Sequence, residues 1–175
     1  MRITTPGAVL LDWRPEDAPS LARHGDSPGI AATMRDGFPV PYTLEDAHAF
    51  IGAATGPGGH LYLAIELDGE AVGGIGVRPL GDVYCRTAEI GYWLSASCRG
   101  RGIATDAVRA LVPVAFRRFE ILRLQAGVFS NNPASMRVLE KAGFVREAVH
   151  ERAIWKNGQV LDEVLYVRFA PGAGP

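Results

Sequence analysis

The chain has 175 residues, 47% of them hydrophobic, so it is long enough to bury one full hydrophobic core. Its 18 basic and 19 acidic side chains nearly cancel, which excludes the broad positive field of a general nucleic-acid-binding protein. There is no apolar run near the ~20 residues of a membrane span and no signal-peptide core at the N-terminus.

From these features we expect a cytoplasmic protein that binds neither nucleic acid nor membrane. The two cysteines, Cys85 and Cys98, do not have the spacing of a metal site, so we expect them to stay reduced and expect no metal cofactor.

Strand and capping signals alternate in the first third of the chain. Residues 8–13 predict a strand, and Pro15 can then open a short helix at its first position. Ser27-Pro28 predicts a second short helical stretch. Thr43 begins a longer helix, because Asp46 lies three residues on, as in a capping box.

The centre of the chain predicts a three-stranded meander. Residues 61–67 and 71–77 flank Asp68-Gly69, a dipeptide typical of hairpin turns, and residues 86–94 form the third strand. Alternation along the third strand predicts two faces. One face carries Ala88, Ile90, Tyr92 and Leu94, and the other carries Glu89, Gly91 and Trp93.

The last part of the chain predicts two helices, a strand and a hairpin. Apolar residues repeat at the helical period over residues 103–119, where Pro113 predicts a kink. A strand over 123–128 and a helix over 133–142, ended by Gly143, come next. Residues 144–154 and 160–169 form a hairpin around Asn157-Gly158. The whole predicts one α+β domain over 1–170 with a mainly antiparallel sheet, and a flexible tail over 171–175.

The octapeptide Cys-Arg-Gly-Arg-Gly-Ile-Ala-Thr, residues 98–105, is the most informative segment. It joins a predicted strand to the start of a predicted helix, where free main-chain N–H groups and the helix dipole favour an anion. Gly100 and Gly102 leave room for a ligand, and Arg99 and Arg101 add positive charge. The segment therefore predicts a phosphate or pyrophosphate site; an ordinary tight turn with two exposed arginines is the simpler alternative.

Two other phosphate-binding motifs fit this segment poorly. A dinucleotide-binding turn needs an acidic residue about 20 positions on, ending the second strand, but residues 123–128 contain no carboxylate. A P-loop needs Gly-Lys-Ser/Thr, which does not follow.

Three motifs resemble the GNAT acyltransferases, in particular the RimJ/RimL-type branch that acetylates ribosomal-protein N-termini. Arg99-x-x-Gly102-x-Ala104 is similar to the family's coenzyme A pyrophosphate motif. Asn131-Asn132-Pro133-Ala134-Ser135, running into Leu139-Glu140-Lys141-Ala142-Gly143-Phe144, resembles a signature of that branch, as does Glu89-Ile90-Gly91-Tyr92-Trp93-Leu94. Together the motifs cover nearly the whole chain in the family's order.

The resemblance implies a twisted sheet of about seven strands, flanked by helices and splayed between the fourth and fifth strands. It also implies that acetyl-CoA lies in that splay. The residues implied to bind it are Tyr92, Trp93, Leu94, Arg99, Gly100, Arg101, Gly102, Ile103, Ala104, Thr105 and Asn132. For Asn132, plain helix capping is the alternative.

The implied reaction is direct acyl transfer from a thioester to a primary amine. Glu89 is the candidate base, with a salt-bridged sheet residue as the alternative. Many relatives place a tyrosine acid where this chain has Leu139, which leaves Ser135 as the candidate acid or as a helix residue only. Cys98 is a poor nucleophile candidate, because no Cys–His pair is evident and direct transfer needs none.

The acceptor site is expected between the N-terminal helices, the loop over residues 36–42 and the final hairpin. Its candidate residues are Asp36, Tyr42, His60 and Trp155. The leading hypothesis is an N-acetyltransferase acting on a peptide N-terminus or a small amine. A catalytically weak CoA-binding module and an enzyme using another donor, such as succinyl-CoA, remain alternatives, and the oligomeric state is open between monomer and homodimer.

Overall fold

We describe the protein from a computed structural model, in which residues 1–172 are described. The end of the predicted tail, residues 173–175, lies outside the described residues. The strands are β1 (Arg2–Thr4), β2 (Val9–Asp12), β3 (Leu61–Leu67), β4 (Glu70–Pro79), β5 (Thr87–Leu94), β6 (Arg123–Phe129), β7 (Val145–Lys156) and β8 (Gln159–Phe169). The α-helices are α1 (Ala18–Gly25), α2 (Pro28–Ala31), α3 (Leu44–Thr55), α4 (Ile103–Phe119) and α5 (Pro133–Lys141).

The strands form one sheet in the order β1-β2-β3-β4-β5-β6-β8-β7. Every neighbouring pair is antiparallel except β5 and β6, which confirms the predicted α+β class with a mainly antiparallel sheet. The sheet has eight strands rather than about seven, because the short β1 pairs with β2 through Arg2–Leu11, Ile3–Leu10 and Thr4–Val9. A strand of three residues is too short to show a periodic pattern in the sequence.

The sheet opens at its one parallel pair. Pairing between β5 and β6 begins at Thr87–Arg123 and reaches only Glu89–Gln125, after which the two strands diverge. This is the splay that was expected between the fourth and fifth strands, and the additional β1 makes those strands β5 and β6.

Helices cover both faces of the sheet and bury two separate cores. The larger core lies under α4 and α5, where Leu111 and Leu139 are fully buried. The smaller core lies under α1 and α3 and includes Trp13, Tyr42 and Trp93. Neighbouring residues of β5 therefore serve different cores, as its alternation predicts.

Local signals in the sequence are confirmed at the turns and caps. Asp68 and Gly69 both have positive φ, 52° and 84°, as do Asn157 and Gly158, 50° and 76°, which is typical of tight hairpin turns. The capping box of Thr43 and Asp46 is formed in both directions. Helix α4 continues through Pro113, whose ring lies on its exposed side.

Over residues 1–172 we find no helix with both the length and the apolar character required to cross a membrane.

Candidate active site

The glycine turn before α4 presents a run of free main-chain donors. Gly100 and Gly102 have φ of 76° and 81°, a region that glycine adopts readily. Within the described residues, the N–H groups from Gly100 to Thr105 donate to no acceptor, and the first bond closing onto this segment is Asp106 N–H to Gly102 O. A Cβ added at Gly100 would meet no atom within 4 Å, so the space above the turn is open. The turn has the donors and the room that an anion requires.

The edge of β5 that faces the splay also has unpaired main-chain groups. Ser95 N–H donates to Val72 O at 2.8 Å, and hydrogen bonding alternates along an antiparallel pair. Trp93 therefore directs its N–H and C=O toward β4, whereas Tyr92 and Leu94 direct theirs toward β6. Since pairing with β6 ends at Glu89, these groups open into the gap.

A cleft of about 920 Å³ fills this gap and reaches both faces of the sheet. On the α4–α5 side it is lined by Arg99, Gly100, Gly102, Ile103, Ala104, Thr105, Asn132 and Ser135. On the opposite side it is lined by residues of α2, α3 and the loop between them, including Phe38 and Tyr42. The structure thus brings ten of the eleven implied cofactor residues together around one cleft, and Arg101 is the exposed exception.

Asn132, Ser135 and Tyr92 form a connected group at the start of α5. Asn132 Oδ1 accepts a hydrogen bond from Ser135 N–H at 3.2 Å, so the amide caps the helix while its nitrogen can still serve a ligand. The Tyr92 hydroxyl lies 2.8 Å from Ser135 Oγ and 3.1 Å from the Ser135 carbonyl oxygen. The sequence analysis listed Tyr92 among the implied cofactor residues but did not predict this contact, because no local pattern shows which group its phenol reaches.

Burial raises the pKa of the Tyr92 phenol to about 12, although its hydrogen bond with Ser135 acts in the opposite direction. The phenol therefore stays protonated throughout the neutral range and fixes the position of the Ser135 hydroxyl.

Neither Leu139 nor Cys98 offers a second proton donor or a nucleophile. Leu139 is fully buried in the larger core. Cys98 is also buried, and the nearest polar partner of its sulfur is Ser97 Oγ at 3.8 Å. No histidine contacts the thiol among the described residues. Direct acyl transfer does not need such a pair, because it forms no acyl-enzyme intermediate.

Glu89 lies on the opposite face of β5 from Tyr92, within the cleft, and is held by arginines. Its Oε2 accepts a hydrogen bond from Arg78 Nη2 at 2.5 Å, across the β4–β5 pair, and lies 3.6 Å from Arg35. The salt bridge and the position at the cleft occur together, so the two interpretations of Glu89 are compatible. Both arginines approach the same oxygen, Oε2, and they hold the carboxylate in place.

The four candidate acceptor residues are placed differently. Tyr42 lines the cleft, packs on Phe38 and is buried. Asp36 lies outside the lining and pairs with Lys156 Nζ at 2.6 Å, tying the loop to the final hairpin. His60 contacts Ala53 O at 3.1 Å beside a smaller pocket, and Trp155 is 71% exposed outside the cleft.

Another carboxylate on the acceptor side, Glu163, was missed by the sequence analysis. Glu163, on β8, lines the cleft, and its Oε2 lies 3.0 Å from Nδ1 of His150 on β7. Counting residues back from the Asn157-Gly158 turn would pair His150 with Leu165 instead. An irregularity between His150 and Ile154 shifts the register and brings Glu163 opposite His150.

Comparison with known proteins gives one family. A model of the acetyltransferase (GNAT) domain matches residues 8–145. Probable N-acetyltransferase YjcK of Bacillus subtilis (strain 168) is 36% identical over 107 residues, 58% of this chain and 59% of that protein. The ribosomal-protein-serine acetyltransferase of Escherichia coli (strain K12) is 36% identical over 83 residues, 47% of this chain and 46% of that one. The chain thus spans about half the length of these curated relatives.

Among solved structures, Mycobacterium smegmatis RimJ in complex with CoA-disulfide superposes with a TM-score of 0.85 at 26% identity. The match covers 100% of this chain and 88% of that one.

Replacing Tyr92 by Phe should make the free energy of unfolding fall less steeply as the pH rises above neutral. The folded pKa is raised to about 12, so between about pH 10 and 12 only the unfolded state ionises, and stability falls as pH rises. Between about pH 8 and pH 11, the free energy of unfolding measured with urea should fall by on the order of 1 kcal/mol more in wild type than in Tyr92→Phe. Tyr84→Phe, at an exposed position, is the control, and parallel curves for wild type and Tyr92→Phe would contradict the assignment.

Proposed function

This chain belongs to the GNAT acetyltransferase family, and on that premise we propose that it transfers an acetyl group from acetyl-CoA directly to a primary amine. The observation that carries the proposal is the run of free N–H groups from Gly100 to Thr105, which opens into the cleft where β5 and β6 diverge. Relatives named as N-acetyltransferases and a structural neighbour solved with a CoA disulfide support it.

The cofactor residues act through main-chain groups in this proposal. The N–H groups of the glycine turn and the first turn of α4 bind the diphosphate, assisted by the positive end of the helix dipole. The pantetheine arm takes the place of a strand beside β5, pairing with the free groups of Tyr92 and Leu94. The side-chain nitrogen of Asn132 donates to it from the other wall.

Acetyl-CoA supplies a thioester whose carbonyl carbon the amine attacks. A primary amine with a pKa near ~10 is mostly protonated at neutral pH, so a base must first accept one proton. Glu89 takes that proton, directly or through a water molecule, and Arg78 holds the carboxylate at the cleft. The N–H of Tyr92 or Leu94 stabilises the oxyanion, since the N–H of Trp93 is directed to β4.

Ser135 donates to the departing sulfur. As the C–N bond forms and the C–S bond breaks, the second proton of the nitrogen passes through water to the departing thiolate, and Glu89 later returns the first proton to solvent. Ser135 Oγ lies within reach of the cleft, and Tyr92 keeps the hydroxyl oriented. Because a serine is a weak acid by itself, its contribution is a positioned hydrogen bond to the sulfur rather than a large change in acidity.

The acceptor in this proposal is a peptide N-terminus or a small primary amine. The cleft continues past Trp93 between α2, α3 and the loop over residues 34–42, where aromatic side chains such as Phe38 and Tyr42 form its walls. A relative named as a ribosomal-protein-serine acetyltransferase supports the peptide class.

The function is tested by following thiol release from acetyl-CoA in the presence of a panel of free-N-terminus peptides and small primary amines. We expect turnover that depends on both substrates, with the acetylated amine identified by mass spectrometry. A parallel series with succinyl-CoA compares the donors. Binding of acetyl-CoA without turnover on any acceptor would reject catalysis in favour of a CoA-binding module.

Ala104→Glu should strongly weaken acetyl-CoA binding while leaving the fold intact. The new carboxylate would lie in the first turn of α4, where it repels the diphosphate but interacts favourably with the helix dipole. Calorimetry should show at least about a hundredfold weaker affinity, since like charges meet at close range. Ala96→Glu, exposed and outside the cleft, adds the same charge and should bind normally. Wild-type affinity in Ala104→Glu would overturn the diphosphate assignment.

Glu89→Gln should lower kcat by about a hundredfold or more and leave acetyl-CoA affinity near that of wild type. The loss should be largest at low pH, where the amine is most fully protonated and most in need of a base. Glu66→Gln is the matched control, because Glu66 is also paired with an arginine, Arg14, but lies outside the cleft. A wild-type rate over the whole pH range would exclude Glu89 as the base.

A further inference from the structure

Three carboxylates line the described cleft, and two of them already bind a helix cap or an arginine through one oxygen. Asp46 Oδ2 accepts hydrogen bonds from both the N–H and the hydroxyl of Thr43, in the capping box of α3. Glu89 is paired with Arg78 and lies near Arg35, both permanently charged. Asp46 therefore serves the cap of α3, and the charge of Glu89 is balanced by arginine.

Glu163 differs in what binds it. Its single hydrogen-bond partner among the described residues is His150, whose ring lies 3.0 Å from Oε2 and is about half exposed. Its other oxygen, Oε1, lies over Gly127 of β6, so close that a Cβ added at Gly127 would be only 2.3 Å away. The glycine therefore provides the space in which this carboxylate lies against the cleft.

The sheet register places Glu163 on the side of the acceptor. Glu163 pairs with Phe129 at the end of β6, the strand that borders the splay opposite β5. Residues opposite one another in a sheet share a face, so Glu163 shares the face of Phe129 and Gly127. Parallel pairing of Gln125 with Glu89 puts this face on the same side as Glu89.

Building on the proposed amine acetylation, we propose that Glu163 binds the ammonium group of the incoming acceptor, and that His150 holds its carboxylate in place. The free Oε1 accepts a charge-assisted hydrogen bond from the ammonium, which has three N–H donors. The acceptor is thereby held between two strands: Glu163 on β8 binds its charge, and Glu89 on β5 takes its proton. The site selects a cationic primary amine over an uncharged one.

The test compares kinetic constants for the best acceptor of the panel. Glu163→Gln keeps the shape and removes the charge, so the KM for the amine should rise about tenfold or more. The kcat at saturating amine and the affinity for acetyl-CoA should stay within about twofold. Gly127→Ala keeps the charge of Glu163, but its added methyl group displaces the carboxylate, which lies at the end of a flexible side chain. This variant should therefore raise KM for the amine as well. Glu151→Gln, exposed on β7 outside the cleft, is the control.

The outcomes separate this inference from the proposed function. An amine KM in Glu163→Gln within about twofold of wild type, or a fall in kcat with KM unchanged, would overturn the ammonium site while amine acetylation stands. Absence of turnover in wild type on every acceptor would reject both. If Glu163→Gln does not fold, as judged by circular dichroism, an unchanged KM in Gly127→Ala is sufficient to overturn the inference.

Discussion

The site depends on the short parallel contact between β5 and β6. Only the pairs from Thr87–Arg123 to Glu89–Gln125 are formed, and beyond them the main-chain groups of β5 have no strand partner on that side. Buried main-chain N–H and C=O groups need hydrogen bonds, so an opened sheet edge is a binding site for anything that can supply them. Helix α4 begins at the same opening and adds its own free donors. One interruption of the sheet thus provides both an extended groove and, beside it, a run of free main-chain donors.

In the proposed reaction, alternation along β5 separates the two substrates. Tyr92 and Leu94 point toward the core under α4 and α5, where Asn132 and Ser135 lie, whereas Glu89 and Trp93 point toward the N-terminal helices. Adjacent residues of one strand therefore contribute to opposite walls of the cleft. In the proposed reaction the thioester crosses the sheet through the gap, so that the sulfur meets Ser135 on one face and the amine approaches from the other.

Much of the fold could be predicted from the sequence because its signals are local. The Asp68-Gly69 and Asn157-Gly158 turns, the Thr43 cap and the helix over Ile103–Phe119 all follow from residues within a few positions of one another. Strand β1 was missed because a strand of three residues is too short to show a periodic pattern. It forms by pairing with β2. The glycine turn was recognised because backbone conformation and helix position are themselves local properties.

The sequence by itself determined the glycine turn, its place before the first turn of α4 and the residue types around it. Only the tertiary structure decided how the side chains are paired: Glu89 with two arginines, the Tyr92 phenol with Ser135, and Glu163 with His150. The last pair shows the physical reason. Hairpin register is fixed by the turn only while the ladder is regular, and here two extra residues in β7 shift every later pair. Arg152, with a φ of 55°, lies in that irregularity, and the resulting shift places His150 against Glu163 instead of Leu165.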